Sequence, residues 1–434
     1  MKKINMHNKK IGIWGLGIVG KSILKYVTQF TNQIQLMDQH PTDSSVIEQS
    51  PESITQFLQH NDIIFASPGI RLHDYQNFAH KFLCELDIFA QQFHGQTIAI
   101  TGTVGKTTIT HLLATSIPRA LAAGNIGHAM LNVLDAPPST VILELSSYQL
   151  HYTTTFAPDI AIWTNFYPNH LDHHADEQEY FSAKCNILRH QTKNQIALLP
   201  YDLIEKIEQS IKPRAQIYLF YEDIPKTTPY PTLFTHNNQL LLKHNNQTTL
   251  IFDNFHQLPD ITFAQNWIII LATLHLRNIP FDNFLQFAQN LKPQEHRLEF
   301  VKTCHGVQIY NDSKSTVWQA TKQAVDKFVN QRIALFLGGL SKGTDRTPLI
   351  AHLTNKNITV FAFGKESEII SNLCKKFQIA HESAPTLQDA LTAYQEQQTN
   401  FDILLFSPAG ASFDLFKNFE DRGTQFKKMI EDLL

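Results

Sequence analysis

"TGTVGKTT", residues 101–108, lies between the apolar run "TIAI" (97–100) and the helix-patterned "ITHLLATSI" (109–117). A strand, a glycine-bearing turn and a helix N-terminus in that order aim several backbone N–H groups at one point, where the helix dipole also favours negative charge. Lys106 adds a mobile cation there, and the Thr107 hydroxyl can reach a Mg²⁺ ion. Ile100 stands where the usual phosphate-loop pattern has its first glycine. Even so, the context favours a nucleoside triphosphate over a plain turn.

Outward from that loop, short apolar runs ending in Gly or Asp alternate with helical patterns, the rhythm of βαβ units and parallel sheets. "KIGIWG" (10–15), "IQLMD" (34–38) and "DIIFASPG" (62–69) read as strands of a small first domain, residues 1–92. "QTIAITG" (96–102), "TVILELSS" (140–147) and "DIAIWTNF" (159–166) belong to a central domain, 93–293. "VQIYNDS" (307–313), "RIALFLGG" (332–339), "ITVFAFG" (358–364) and "DILLFSPAG" (402–410) make a third, 294–434. The expected fold is α/β, with a Rossmann-like domain at each end and a phosphate-loop domain between. The stretch 232–252, with β-favouring runs separated by Asn-rich turns, reads as a small antiparallel insertion in the central domain.

The 434 residues are 43% hydrophobic and 17% charged with net charge −3, which describes a globular chain with no electrostatic reason to bind nucleic acid. Cys84, Cys185, Cys304 and Cys374 are far apart and form no C-x-x-C pair, so neither a disulfide framework nor a zinc site is supported and a reducing cytoplasm fits best. The N-terminus imitates a secretory signal, but Lys21 ends its apolar part early and no small-residue cleavage site follows. "WIIILATLHL" (267–276) is far short of the ~20 residues a bilayer needs. No membrane segment is expected, and nothing calls for more than a monomer.

A second glycine loop, "GLGIVG" (15–20), satisfies G-x-G-x-x-G after a strand, with Asp38 at the end of the next one. A dinucleotide cofactor would use those glycines for its pyrophosphate and Asp38 for a ribose hydroxyl. The first domain is about half of what a two-halved dinucleotide domain needs. A nucleoside diphosphate carried by the substrate would use the same physics in less space, and a structural tight turn is the third reading.

Glu144, at the end of a strand expected beside the phosphate-loop strand, is placed to share Mg²⁺ with Thr107. "NFYPNHLDHH" (165–174) gathers His170, Asp172, His173 and His174 in a spacing that matches no zinc pattern; His170, first after the strand, is the candidate ligand or substrate contact. In the third domain "NDSKST" (311–316), "GGLSKG" (338–343) and "SPAGAS" (407–412) each follow a strand, which should gather Asp312, Lys314, Lys342 and Ser412 at one sheet edge. Two lysines and several hydroxyls there suit a small carboxylate-bearing substrate. Arg297, in "QEHRLEF" (294–300), sits at a hinge.

These blocks in this order, together with "GNIG" (124–127), "ELSSYQL" (144–150) and the closing "SPAGASFDLFKNFEDRGTQF" (407–426), resemble the Mur ligases of peptidoglycan synthesis from about residue 10 to the C-terminus. The closing block most resembles the members that add D-glutamate to UDP-N-acetylmuramoyl-L-alanine. The resemblance implies an ATP-dependent ligase working through an acyl phosphate, with the third domain closing before the amine attacks. It implies that Gly102, Thr103, Val104, Gly105, Lys106, Thr107, Thr108, Asn266, Arg297 and Asp312 meet ATP. Ser67, Pro68, Gly69 and Asn125 would meet the nucleotide substrate, while Lys314, Thr316, Lys342, Ser412 and Phe419 would hold glutamate. Lys184 lies where the family carries a lysine carbamylated by CO₂; with His170 it would hold a second Mg²⁺, the first being on Thr107 and Glu144. Val104 replaces an Asn usual before "GKT", removing a side-chain contact to the phosphate; a His-Asn pair usual before Asn266 and a Thr-Arg pair after Asp38 are also absent. A sister ligase with another amino acid or a folate, a catalytically weakened nucleotide-binding protein and a nicotinamide oxidoreductase are the alternatives.

Overall fold

The computed structural model describes residues 4–170, 174–259, 261–291 and 295–433. Three sheets follow one another along the chain. The first has five parallel strands, β1 (Ile11–Trp14), β2 (Ile34–Asp38), β3 (Val46–Glu48), β4 (Ile63–Ala66) and β5 (Phe82–Leu83), in the order β3-β2-β1-β4-β5. Only β1, β2 and β4 are legible as strands in the sequence. β3 and β5 have three and two residues, too few to show a period.

The central sheet contains β6 (Gln96–Thr101), β7 (Ala120–Gly124), β8 (Thr140–Glu144), β9 (Ile160–Trp163), β10 (Ile196–Pro200), β11 (Gln216–Tyr221), β12 (Thr232–His236), β13 (Gln239–His244) and β14 (Gln247–Phe252). Their order is β14-β13-β12-β11-β10-β9-β6-β8-β7. β8 and β9 are buried along their whole length, as are the last four residues of β6. That burial explains their unbroken Val/Ile/Leu-rich sequences, because a parallel sheet covered on both faces has no polar side to alternate with. The 232–252 stretch forms the expected antiparallel pairs within the central domain. β12 pairs parallel with β11, Leu219 opposite Thr232, so the meander extends the sheet.

The third sheet contains β15 (Glu299–Cys304), β16 (Val307–Asn311), β17 (Ile333–Gly338), β18 (Ile358–Phe363), β19 (Ala380–Ala384) and β20 (Ile403–Phe406), in the order β15-β16-β20-β17-β18-β19 with only β15 antiparallel. The chain packs as two compact units. One contains the first two sheets, and the other contains the third with the stretches Tyr167–Glu177 and Pro259–Phe263. Residues 293 and 294, where the central segment was expected to end and the third to begin, lie outside the described residues. Among the described residues no helix is long and apolar enough to cross a membrane.

Within the first unit, Glu85 opens the helix Glu85–Gln92 and accepts the Leu131 N–H at 3.2 Å while only 6% exposed. Burial pushes its carboxyl up to about 7. Between the unfolded value of about 4.3 and that folded value the unfolded chain has released this proton and the folded chain retains it. Stability therefore falls as pH rises through that window. Glu85→Gln keeps the acceptor and removes the titration. The variant is expected to be the more stable protein above about pH 7, by on the order of 3–4 kcal/mol, with the gap closing toward about pH 5. Urea unfolding at the two pH values checks this; an equal gap at both would refute it.

Candidate active site

The loop between β6 and the helix Lys106–Ser116 needs backbone that only glycine supplies easily. Gly102 has φ +142° and Gly105 +90°, and a Cβ at Gly105 would come within 2.6 Å of Asn266 Oδ1. The helix begins with no side-chain cap and no acidic residue in its first turn. Its leading N–H groups thus have no helical partner and no competing anion on their own element. Asn266, 3% exposed, stands against this turn from the helix Ala264–Leu276.

The front of the loop is clasped by the end of β9. Asn165 Oδ1 accepts the N–H groups of Thr103 (3.1 Å) and Val104 (2.9 Å), and its Nδ2 donates to the Val104 carbonyl at 3.1 Å. Thr164 Oγ1 donates to the same carbonyl at 2.7 Å. The peptide at Val104, whose side chain cannot hydrogen-bond, is thereby fixed from a neighbouring strand. Thr103 and Val104, expected among the ATP contacts, direct their N–H groups to Asn165. Sequence reading missed Thr164 and Asn165, because a side chain that bonds a distant backbone leaves no spacing to recognise.

Two lysines converge on one carbonyl. Lys106 Nζ donates to Gly102 O (3.0 Å) and Thr103 O (3.1 Å), and Lys184 Nζ donates to Gly102 O (2.9 Å) and approaches Thr101 Oγ1 (3.4 Å). Lys184 belongs to the helix Glu177–Arg189, is 1% exposed, and lies over the Tyr180 ring at 4.7 Å. Burial drives its ammonium well below the usual lysine range; the Lys106 charge acts in the same direction and Glu144 opposes both.

Glu144 is 3% exposed at the end of β8, which pairs with the loop strand so that Glu144 faces Ile100. Its Oε1 accepts from Asn125 Nδ2 at 3.0 Å, while the buried Oε2 has no hydrogen-bond partner among the described residues. An orphaned buried carboxylate oxygen beside a phosphate loop is what a hard divalent cation takes as a ligand. The Glu144 carboxylate therefore fits a Mg²⁺ ion as a ligand.

At the first sheet, Leu16 N–H donates to Asp38 Oδ2 (2.6 Å) and His40 N–H to Oδ1 (3.0 Å), bonds that hold the Asp38 carboxyl below its ordinary range. Asp38 thus braces the glycine loop. Ser67 Oγ donates to Gly15 O at 2.9 Å, joining the loop to the turn Ser67-Pro68-Gly69.

In the second unit, Asp312 is buried, accepts from Leu298 N–H (3.1 Å) and Ser407 Oγ (2.7 Å), and is pushed up to about 6 by burial, with the Arg297 charge opposing. Lys314 Nζ lies over the Phe419 ring at 4.6 Å and Lys342 Nζ over Phe413 at 6.0 Å. Ser412 is buried and Thr316 half-buried. His170 is half-buried with φ +58°, and its carbonyl accepts the His174 N–H at 3.0 Å. Asp172 and His173 lie outside the described residues. Sequence reading also missed Arg422, a buried guanidinium that ties Ser313 (Oγ 3.0 Å, O 2.6 Å) to Gly410 O (2.9 Å).

A phosphate loop beside a buried carboxylate and a buried amine defines a nucleotide-using enzyme of the phosphoryl-transfer kind. The model of the Mur ligase middle domain matches residues 100–245. Over 97% of this chain and 98% of its own length, the UDP-N-acetylmuramoylalanine–D-glutamate ligase of Aquifex aeolicus is 32% identical. The enzyme of that name from Leuconostoc citreum is 29% identical over the whole of both chains. Among solved structures, MurF from Acinetobacter baumannii superposes with a TM-score of 0.59 at 17% identity, covering 98% of this chain and 90% of its own. The chain belongs to the Mur ligase family.

Proposed function

We propose that this chain joins D-glutamate to UDP-N-acetylmuramoyl-L-alanine at the expense of ATP, a step in making peptidoglycan precursors, and that it does so in the cytoplasm as a monomer. The observation that carries this reading is the end-to-end similarity to D-glutamate ligases, reaching 32% identity over 97% of the chain. The convergence of Lys106, Lys184 and the Glu144 strand on one glycine loop supports it.

The tasks divide along the chain: residues 1–92 for the nucleotide substrate, 93–293 for ATP and 294–434 for the amino acid. The turn Ser67-Pro68-Gly69 and Asn125 meet the nucleotide substrate. Gly105, Lys106, Thr107 and Thr108 bind the terminal phosphates, with Thr103 and Val104 shaping the loop. Asn266, Arg297 and Asp312 contact the rest of ATP. Thr107 and Glu144 would hold a Mg²⁺ ion, which would supply charge neutralisation for the transferring phosphoryl group. An oxygen of the L-alanyl carboxylate attacks the γ-phosphorus and ADP leaves, giving an acyl phosphate. Lys314, Thr316, Lys342, Ser412 and Phe419 hold glutamate, whose amine, having lost a proton, attacks the acyl carbon. Inorganic phosphate departs and the amide remains.

Lys184, whose ammonium form burial and the Lys106 charge disfavour, would react through its free amine with CO₂ to give a carbamate, an anion of the sign that a second Mg²⁺ position needs; His170 is the other ligand the resemblance implies. Phosphate release from ATP in the presence of UDP-N-acetylmuramoyl-L-alanine, compared for D-glutamate, L-glutamate and L-lysine, tests the assignment. Turnover with D-glutamate alone is the expected result. Release with L-lysine, or with a folate in place of the nucleotide, would overturn it.

A further inference from the structure

The loops that follow β17 and β20 are locked together by one side chain. Arg346 is 3% exposed, and its five N–H donors meet five acceptors. Nε bonds Glu366 Oε2 at 3.0 Å; one terminal nitrogen bonds the carbonyls of Pro408 (3.4 Å) and Ala409 (3.1 Å); the other bonds those of Gly338 (3.2 Å) and Gly339 (2.8 Å). Glu366, in turn, accepts from both the N–H (2.8 Å) and the hydroxyl (3.0 Å) of Ser341. Between these anchors Leu340 and Ala411 exchange two backbone hydrogen bonds of 2.8 Å each.

What this clamp carries gives it meaning. Ser412 is the residue after the bridged Ala411. Lys342 is two residues beyond the bridged Leu340, directly after the Ser341 that Glu366 holds, and its backbone is in the left-handed region at φ +53°. A non-glycine residue stays there only when its surroundings over-determine it. Arg346 has no donor left for a ligand, and a buried guanidinium is costly to desolvate unless every donor is matched. Its work must therefore be done through the loops it joins.

We propose that Arg346, with Glu366, is a positioning pair that fixes the separation between Lys342 and Ser412, and thereby sets affinity and length selectivity for the incoming amino acid. The inference rests on the reading that Lys342 and Ser412 hold that amino acid. It does not depend on which amino acid it is.

Arg346→Met and Glu366→Gln are the variants to compare with the wild type, reading the three KM values, kcat and the melting temperature. The KM for whichever amino acid the wild type accepts is the one measured, so a wrong choice of glutamate would show in the wild type and leave the clamp testable. Arg346→Met is expected to raise that KM tenfold or more, while the KM values for ATP and the nucleotide substrate stay within twofold. Glu366→Gln should shift it in the same direction by less. In both variants the preference for glutamate over aspartate should narrow. A merely structural role would lower the melting temperature and move all three KM values together, or none, and either pattern overturns the proposal. Should Arg346→Met fail to fold, Glu366→Gln, which keeps the acceptor for Ser341, decides alone.

Discussion

Glu144→Gln is expected to lower kcat by on the order of 10²–10³-fold, the usual cost of removing a group that neutralises transition-state charge, while leaving the folded protein as stable or more so. The two halves of that result come from one observation. Glu144 is 3% exposed, has one hydrogen bond from Asn125, and leaves Oε2 without a partner among the described residues. A buried charged oxygen with nothing donating to it is a net cost to folding. Glutamine has the same shape, keeps an oxygen for Asn125, and removes the charge. Stability should therefore rise or hold while activity collapses, the trade expected where a group serves chemistry rather than packing. The Mg²⁺ concentration needed for half-maximal rate should rise as well. Thermal unfolding beside a Mg²⁺ titration of phosphate release reads all three quantities. A variant active to within a few-fold of wild type would show that Glu144 is a strand-end acid and no more.

What the sequence disclosed and what it hid divide along physical lines. Strands such as β6, β8, β17 and β18 are legible because a parallel strand covered on both faces needs a continuous apolar run. β7, "ALAAG", has no β-branched residue, and β19, "AHESA", is a mostly exposed edge; their strand character comes from neighbours rather than from their own residues. The docking of β12 on β11 is a long-range pairing that no local pattern encodes. At the site, Lys106 and Glu144 are readable because loop and strand-end positions carry chemistry in α/β folds. Asn165, Arg346, Glu366 and Arg422 act by bonding main-chain groups of segments far from them in sequence, Arg346 through the Ala409 carbonyl. Such a role leaves no spacing to find, and the structure alone reveals it.

Lys184→Met should be folded and close to inactive, with a rate loss on the order of 10²-fold or more. The ammonium form of Lys184 is penalised by its burial and by Lys106, and only Glu144 favours it. Because its folded pKa is depressed, the unfolded chain holds a proton that the folded chain lacks at pH values between the folded value and about 10.4. Stability then rises with pH across that window, and at neutral pH the residue is a burden to the fold. Methionine relieves that burden, so lost activity could not be blamed on unfolding. On the proposed carbamylation, the lone pair of the free amine attacks CO₂; a C–N bond forms, one proton leaves, and the side chain becomes an anion. A cation site needs that sign, whereas a second ammonium beside Lys106 would oppose it. Wild-type enzyme stripped of CO₂ should therefore lose activity and recover it with bicarbonate, and a ¹³C carbamate resonance should appear with labelled CO₂ and be absent from Lys184→Met. A small carboxylate in the buffer should partly restore the variant by placing an anion in the vacated space. Undiminished turnover of Lys184→Met, or indifference of the wild type to CO₂ together with no labelled resonance, would leave Lys184 as a prop for the Gly102 carbonyl.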